Sequence, residues 1–327
     1  MKTSSDLGEL LTGLPRSGTY IVKPNWYSPH PANFTDSSAL DLLLSTIPGK
    51  AIVVEGYSWD RHDGSMSFTV RGTRVTWQWI VRHPDFSWVR ERENLETLRR
   101  WDRWFLDSNG FTEVLERHGA EYLNISKEIW CGRVVNPAEV KRRVEGRFSP
   151  VARDEMYGFV PTRLADLEGA PLISLGRVKG YSGRYPSLTT KNLFGLIPDP
   201  LRVRWHGKQD KDLSQSIVDI TKVYASYFPL HGICEALTSF TVCDPDGEVK
   251  VPWGNYHVNP CDGFVAAGPN LIALDAVLCG LIDIEPDCVG YITLGEEAFG
   301  EYDRSVVEEA RAASGRLLPL NGTTEPK

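Results

Sequence analysis

The order of four features near the start of the chain constrains its fold most. A short β-prone run, Tyr20-Ile21-Val22-Lys23, leads into Pro24-Asn25-Trp26-Tyr27-Ser28-Pro29-His30-Pro31, where three prolines forbid regular structure. Thr35 or Asp36 then caps a helix carrying Leu40, Leu43, Leu44 and Ile47, and Pro48-Gly49 stops it. A second apolar run, Ala51-Ile52-Val53-Val54, ends in Glu55-Gly56. Strand, loop, helix and strand in that order build a mostly parallel sheet, because a parallel neighbour needs a crossover helix.

The chain therefore reads as α/β, a mostly parallel sheet flanked by helices, with residues 1–56 the first part of its core. Residues 57–150 read as a tryptophan-rich, partly helical insertion or cap, holding seven of the ten tryptophans. Within it Leu95, Leu98, Trp101, Trp104 and Phe105 fall at helical spacing over 94–107, and a second helix fits 112–118. Residues 151–313 read as the remainder of the core. It has a buried strand at 170–178, a short helix at 188–197, a longer one at 213–227, an apolar helix or strand–helix join at 271–281 and a strand at 289–294. The polar stretch 314–327 reads as a mobile tail.

Charge narrows the partners. Lys and Arg number 36 against 43 Asp and Glu, a formal net charge of −7, and a nucleic-acid partner needs the opposite balance. No stretch approaches the roughly 20 apolar residues that span a bilayer, and none between Met1 and Gly18 resembles a secretory leader. The six cysteines include no C-x-x-C spacing, so no intrinsic iron–sulfur motif is present. These features predict a cytoplasmic protein with reduced thiols, no nucleic-acid or membrane partner, and an unassigned oligomeric state.

Candidate chemistry lies where strands end, since ligands of open α/β sheets bind at the carboxyl ends of the strands. Lys23 and Asn25 follow the first strand and Glu55 ends the second. From Ser174 to His206 the chain carries Arg177, Lys179, Arg184, Lys191, Arg202 and Arg204, with no acidic residue until Asp199. Arginine and lysine in a Gly- and Ser-containing loop suit a carboxylate or phosphate. Lys179, Lys191, His206, His231 and Glu55 are the candidate catalytic groups. Lys23, Asn25, Arg184, Asn192, Glu235 and Asp275 are the candidate binding groups, and a histidine with Glu235 and Asp275 is a candidate divalent-metal set. No dinucleotide, P-loop, zincin or hydrolase-elbow signature occurs.

"KPNW" near the start, "KGY" and "SLTTKNLFG" in the middle, and "AAGPNLIALDAVLCGLI" near the end together resemble the domain of unknown function 362 family. The resemblance takes in the first strand–helix–strand unit and most of 170–300, leaving the tryptophan-rich stretch aside. Lys179, Lys191, Asn192 and Leu274-Asp275 match its motif positions. His231-Gly232-Ile233 stands where many relatives have Asp-Gly-Ile. The likeness implies an α/β fold, and for some members ferredoxin-type modules whose cysteine runs this chain lacks.

The leading expectation is an enzyme of isomerase, cyclase or lyase type, doing acid–base chemistry on a small anionic metabolite in a lysine- and arginine-lined pocket. The rivals are a redox enzyme using a dissociable cofactor or an external ferredoxin, and a non-catalytic binding protein for an acidic ligand.

Overall fold

The structure, a computed structural model, describes residues 8, 9, 11, 13–62, 69–83, 85–180, 186–251 and 254–317. Strand β1 (Thr19–Pro24) is followed by a helix over Ser37–Thr46 and by β2 (Lys50–Glu55). Asp36, not Thr35, caps the helix, accepting from the Ala39 N–H at 3.1 Å. After a small ribbon of β3 (Thr69–Val70) and β4 (Thr73–Arg74) come helices at Arg92–Ser108 and Phe111–Arg117, then β5 (Glu121–Asn124). The second half supplies β6 (Leu172–Arg177), β7 (Lys179–Gly180), β8 (Leu230–Ala236), β9 (Ser239–Cys243), β10 (Val249–Val251), β11 (Gly254–Pro260) and β12 (Phe264–Gly268).

The main sheet runs β12-β8-β6-β1-β2-β5, parallel throughout except for β12, which pairs antiparallel with β8. Both faces are covered, which is why β1 and β2 read as nearly unbroken apolar runs. Alternation sends Tyr20, Val22, Ala51, Val53, Ile173, Leu175 and Ile233 to one face, against Leu40, Leu43 and Leu44. Ile21, Val54, Leu172, Cys234 and Ala236 face the other side, against helices Leu213–Ala225, Leu271–Leu281 and Gly290–Phe299. A second sheet, β10-β11-β9-β7, stands beside the first.

Residues 57–150 do two things at once. Trp88, Trp101 and Trp130 build a separate cluster with Tyr57, Ile80 and Leu98. Phe105, Leu106, Phe111, Val114 and Leu115 instead pack on the sheet beside the first helix, and Glu121–Asn124 becomes its outer strand. The strand expected at 289–294 is a helix, Gly290–Phe299. Six residues are too few to separate the two periods, and the buried positions Tyr291, Ile292 and Gly295 follow helical spacing. The tail expected from 314 is helical as far as Leu317 and then lies outside the described residues. Among the described residues no helix is long and apolar enough to cross a membrane.

Phe105 is fully buried between Trp26 at 6.1 Å, Phe34 at 5.3 Å and Phe111 at 5.5 Å, so it joins the tryptophan-rich stretch to the sheet. Phe105→Ala is expected to cost about 3–5 kcal/mol. Urea unfolding followed by tryptophan fluorescence and by far-ultraviolet circular dichroism should shift as one transition. Two separated transitions would mean that the stretch folds apart from the sheet.

Candidate functional site

The chain leaves β1 towards β2 and β5 on one side and later returns to place β6 and β8 on the other. Loops after β1 and β6 therefore diverge, and that point of divergence is where an open α/β sheet receives a ligand. The residues ending the strands there are polar and buried: Lys23 and Asn25 after β1, Glu55 after β2, Arg177 and Lys179 after β6, and Glu235 near the end of β8.

Lys23 and Glu55 form the centre. The Lys23 ammonium donates to Glu55 Oε2 at 2.9 Å, to the Pro24 carbonyl at 2.8 Å and to Asn192 Oδ1 at 3.2 Å. Glu55 also accepts from the Trp26 N–H at 3.1 Å and the Gly56 N–H at 2.8 Å. Burial holds Lys23 below the ordinary lysine pKa, with Glu55 opposing that and Arg202 and Arg61 adding to it.

Asn192 and Asn25 carry the network outward. Asn192 Nδ2 donates to the Lys23 carbonyl at 2.8 Å and to Ser174 Oγ at 3.0 Å, which turns its Oδ1 towards Lys23 and the Asn25 amide. Asn25 Nδ2 donates to that Oδ1 at 3.3 Å, so Asn25 Oδ1 is left to accept from Lys179 Nζ at 2.8 Å. Lys179 also donates to the Asn33 carbonyl at 3.3 Å.

Six lysines and arginines are buried among the described residues: Lys23, Arg61, Arg177, Lys179, Arg202 and Lys222. Five have a carboxylate partner: Lys23 has Glu55, Arg61 has Asp102, Arg177 has Glu235 at 3.0 Å, Arg202 has Asp199 at 3.5 Å, and Lys222 has Asp219 at 3.4 Å. Among the described residues Lys179 has only two acceptors, both neutral. Burial pulls its pKa down to about 7, and the nearby charges of Lys191 and Arg177 add to the effect. Lys191, half-buried, is itself drawn down to about 8 by burial, against the pull of Asp210.

The helix holding these groups, Thr189–Asn192, is too short to stand alone. Asp275, on Leu271–Leu281, accepts from the Thr189 N–H at 2.9 Å, the Thr189 hydroxyl at 2.5 Å, the Thr190 N–H at 2.9 Å and the Tyr291 hydroxyl at 3.2 Å. Burial raises the Asp275 carboxyl to about 6, against those hydrogen bonds. Gly195 closes the segment over the ion pair, where a β-carbon would lie 2.7 Å from Lys23 Nζ and 3.1 Å from Glu55 Oε1. The Thr189 and Thr190 N–H groups, the Thr189 hydroxyl, the Asn192 amide and Gly195 thus each have a physical task.

The remaining predicted residues fall elsewhere. Glu235 accepts from Arg177 and from the Leu237 N–H at 3.0 Å, and burial raises it to about 7. His206 meets Asp210 at 2.7 Å, and Asp210 acts electrostatically on Lys191, but His206 makes no recorded bond to the asparagines of the strand ends. His231 lies towards the amino end of β8, opposite Ile173, buried and with no partner for Nε2 among the described residues. It therefore does not join the groups at the carboxyl ends. Arg184 lies outside the described residues. No group of three or more His, Cys, Asp or Glu placed to hold a metal occurs among the described residues. The expected histidine–Glu235–Asp275 set is not assembled, because the two carboxylates are spent on Arg177 and on the helix.

Two features escaped the sequence. Arg61 and Asp102 pair beside Glu55, with Tyr122 and Asn124 donating to Asp102 at 3.0 Å. The available signal was an acid at 102 within the apolar stripe of Leu98, Trp101 and Phe105. Cys243, half-buried on β9, interacts electrostatically with Lys179 and Lys191, and burial raises its thiol to about 11.

The family described as Domain of unknown function (DUF362) matches residues 96–280, more than half of the chain. The chain belongs to that family. The matched region holds Lys179, Lys191, Asn192, Glu235 and nearly all of the helix carrying Asp275. It leaves out β1 and β2 with Lys23, Asn25 and Glu55, and it takes in part of the tryptophan-rich stretch that the sequence reading set aside. A thylakoid-associated protein of Synechocystis sp. is 26% identical over 119 residues, which is 35% of this chain and 33% of that protein. The chain thus spans about a third of the length of the curated relative it matches. No solved structure matches.

Asp275→Ala removes the acceptor of four hydrogen bonds and orphans two buried N–H groups. It is expected to cost more than about 2 kcal/mol. Hydrogen exchange should quicken first at the amides of 189–192, and unchanged protection there would show that the segment is held by other contacts.

Proposed function

We propose that this chain is an enzyme that binds a small carboxylate- or phosphate-bearing molecule at the carboxyl ends of β1 and β6 and performs acid–base chemistry on it. Lys179 is the group that takes and gives the proton, and Lys191 supplies the charge that attracts the anion. The observation that supports this most is the pairing of the buried cations. Among the described residues five of the six have a carboxylate partner and Lys179 has none, and Lys179 stands beside the point where the loops of the sheet diverge.

A lysine locked to a carboxylate stays an ammonium. One held by two neutral oxygens can donate to both as ammonium or, more weakly, as amine, and no counter-ion among its partners fixes it as the ammonium near neutral pH. Asn25 orients it and is itself held by Asn192, and Glu55 favours the ammonium form of Lys23. Reactions of isomerase, cyclase or lyase type need such a group. The location that goes with this reading is the cytoplasm, where the six unpaired cysteines stay reduced.

Two measurements test the reading. In a panel of small carboxylates and phosphates, at least one should raise the melting temperature of the wild-type chain. At 100 times its dissociation constant it would add about 2.7 kcal/mol. Lys179→Met should abolish that gain, and equal stabilisation of both chains would overturn the assignment.

The second measurement is titration of the lysine amines by NMR. Lys179 should titrate near 7 and move upward in Lys191→Met, because removing a neighbouring cation favours the ammonium. A Lys179 amine titrating at the ordinary 10.5 would count against a role as base. Stability carries the same sign. Between about 7 and 10.5 the unfolded chain holds a proton that the folded one lacks, so the cost of burying Lys179 is full below pH 7 and fades as pH rises. The stability difference should therefore move in favour of wild type over Lys179→Met from about pH 6 to about pH 10.

A further inference from the structure

The segment that joins β1 to its helix is a closed loop with a fixed neck. At the neck the Thr35 N–H donates to the Asn25 carbonyl at 2.8 Å, the Asn25 N–H to Thr35 Oγ1 at 3.2 Å, and Trp26 Nε1 to the Thr35 carbonyl at 3.1 Å. The Thr35 hydroxyl in turn donates to the Leu175 carbonyl of β6 at 3.1 Å. Trp26 and Phe34 both pack on Phe111, at 4.2 and 6.1 Å, so each end of the loop is pinned beside the sheet. The tip, residues 28–33, is held differently. Much of its bonding is internal: Asn33 Nδ2 donates to Ser28 Oγ at 3.0 Å, the His30 N–H to the same oxygen at 3.3 Å, and the Asn33 N–H to the His30 carbonyl at 3.1 Å. Among the described residues its outward polar ties are three. The Tyr256 hydroxyl of β11 donates to the Pro31 carbonyl at 2.8 Å, the His30 ring lies 3.7 Å from an Asp60 oxygen, and the Asn33 carbonyl accepts from Lys179 at 3.3 Å.

We propose that residues 28–33 are a lid closed over Lys179, that the lid swings on the neck made by Asn25, Trp26 and Thr35, and that the Tyr256 hydroxyl is its latch. The closed position leaves Lys179 buried beside the divergence of the strands. The internal bonds travel with the tip, so opening breaks only the three outward ties. Water replaces the partner at the exposed Pro31 and the half-exposed His30 as the tip lifts. Pro29 and Pro31 limit bending within the tip and concentrate the motion at its junctions with the neck. Compact loops whose ends meet and whose side chains pack on one another are frequently functional. Lys179 keeps its other acceptor in either position, because Asn25 belongs to the neck and is held by Asn192. The lid thus uncovers the amine without unseating it. Its purpose, an entrance to the anion site proposed above, rests on that reading, while its opening is measured with no anion present.

The test is native-state labelling of the full chain, without urea and over a series of sub-denaturing urea concentrations. An acetyl succinimidyl ester reports the Lys179 amine, N-ethylmaleimide reports the fully buried Cys234 thiol of β8, and peptide mapping follows both. Opening of a short loop exposes little surface and responds weakly to urea, whereas global unfolding exposes the core and responds steeply. Lys179 should be acetylated at a rate nearly independent of urea, while Cys234 labelling climbs steeply. Tyr256→Phe removes one hydrogen bond of the closed lid and should quicken Lys179 acetylation at least about threefold without urea. His30→Ala, which removes the Asp60 contact from a half-exposed position, should act in the same direction. Val140→Ala, in the core away from the loop, should quicken Cys234 labelling and leave Lys179 unchanged, because its contacts survive when the lid lifts. If Lys179 and Cys234 share one urea dependence, the amine is reached only by unfolding and the lid falls. If Lys179 is reached locally but neither Tyr256→Phe nor His30→Ala quickens it, the route lies elsewhere and the lid falls again. A lid that behaves as expected in a chain that binds no carboxylate or phosphate stands without the anion site. An anion that binds wild type and not Lys179→Met, in a chain whose Lys179 is labelled only on unfolding, removes the lid alone.

Discussion

Burying the Lys23 ammonium is the step on which the rest of this structure depends. An isolated charge there would cost far more than the marginal stability of a domain, so it must be met on every side. Glu55 neutralises it, and the Pro24 carbonyl and Asn192 Oδ1 accept hydrogen bonds from it. Those partners come from β1, β2 and the segment after β7. One ammonium therefore fixes the relative positions of three chain segments that are distant in sequence. Gly195 lies over the pair because no larger residue fits there.

Lys179 lies beyond Lys23, with Asn25 and Asn192 between them, and the contrast between the two lysines gives the site its character. Both are buried, but one is neutralised and the other is not. Where a protein accepts the cost of a buried cation without a counter-ion, the deficit is either relieved by losing the proton or met by an anion from outside. Perturbed groups of this kind are commoner at functional sites than elsewhere in proteins. Asp275 contributes from a distance. It touches neither lysine, but it holds the four-residue helix that carries Lys191 and Asn192.

Much of this was legible beforehand. Strands at 20–23, 51–54 and 170–178 and helices at 94–107 and 213–227 follow from periodicity and capping. The rule that polar residues after parallel strands converge singled out Lys23, Asn25 and Glu55, the basic segment 174–206 singled out Lys179, and the family motif added Asn192. His231 was misleading because a histidine in an apolar run shows nothing of which end of its strand it occupies. The 289–294 run was misleading because a largely apolar stretch of six residues satisfies both periods. The second sheet escaped because its strands are short, and β7 is only two residues long.

The sequence by itself determined the α/β class, the order of its first unit and the residue types gathered at the strand ends, because these depend on spacing over a few residues and on strong local preferences for caps and breaks. Only the tertiary structure decided which buried cations are neutralised. Glu55 reaches Lys23 across 32 residues and Glu235 reaches Arg177 across 58. Such pairings are set by sheet order and register, not by any local pattern. The unmatched charge of Lys179 is therefore a property of the fold, visible only when every other buried cation has its partner.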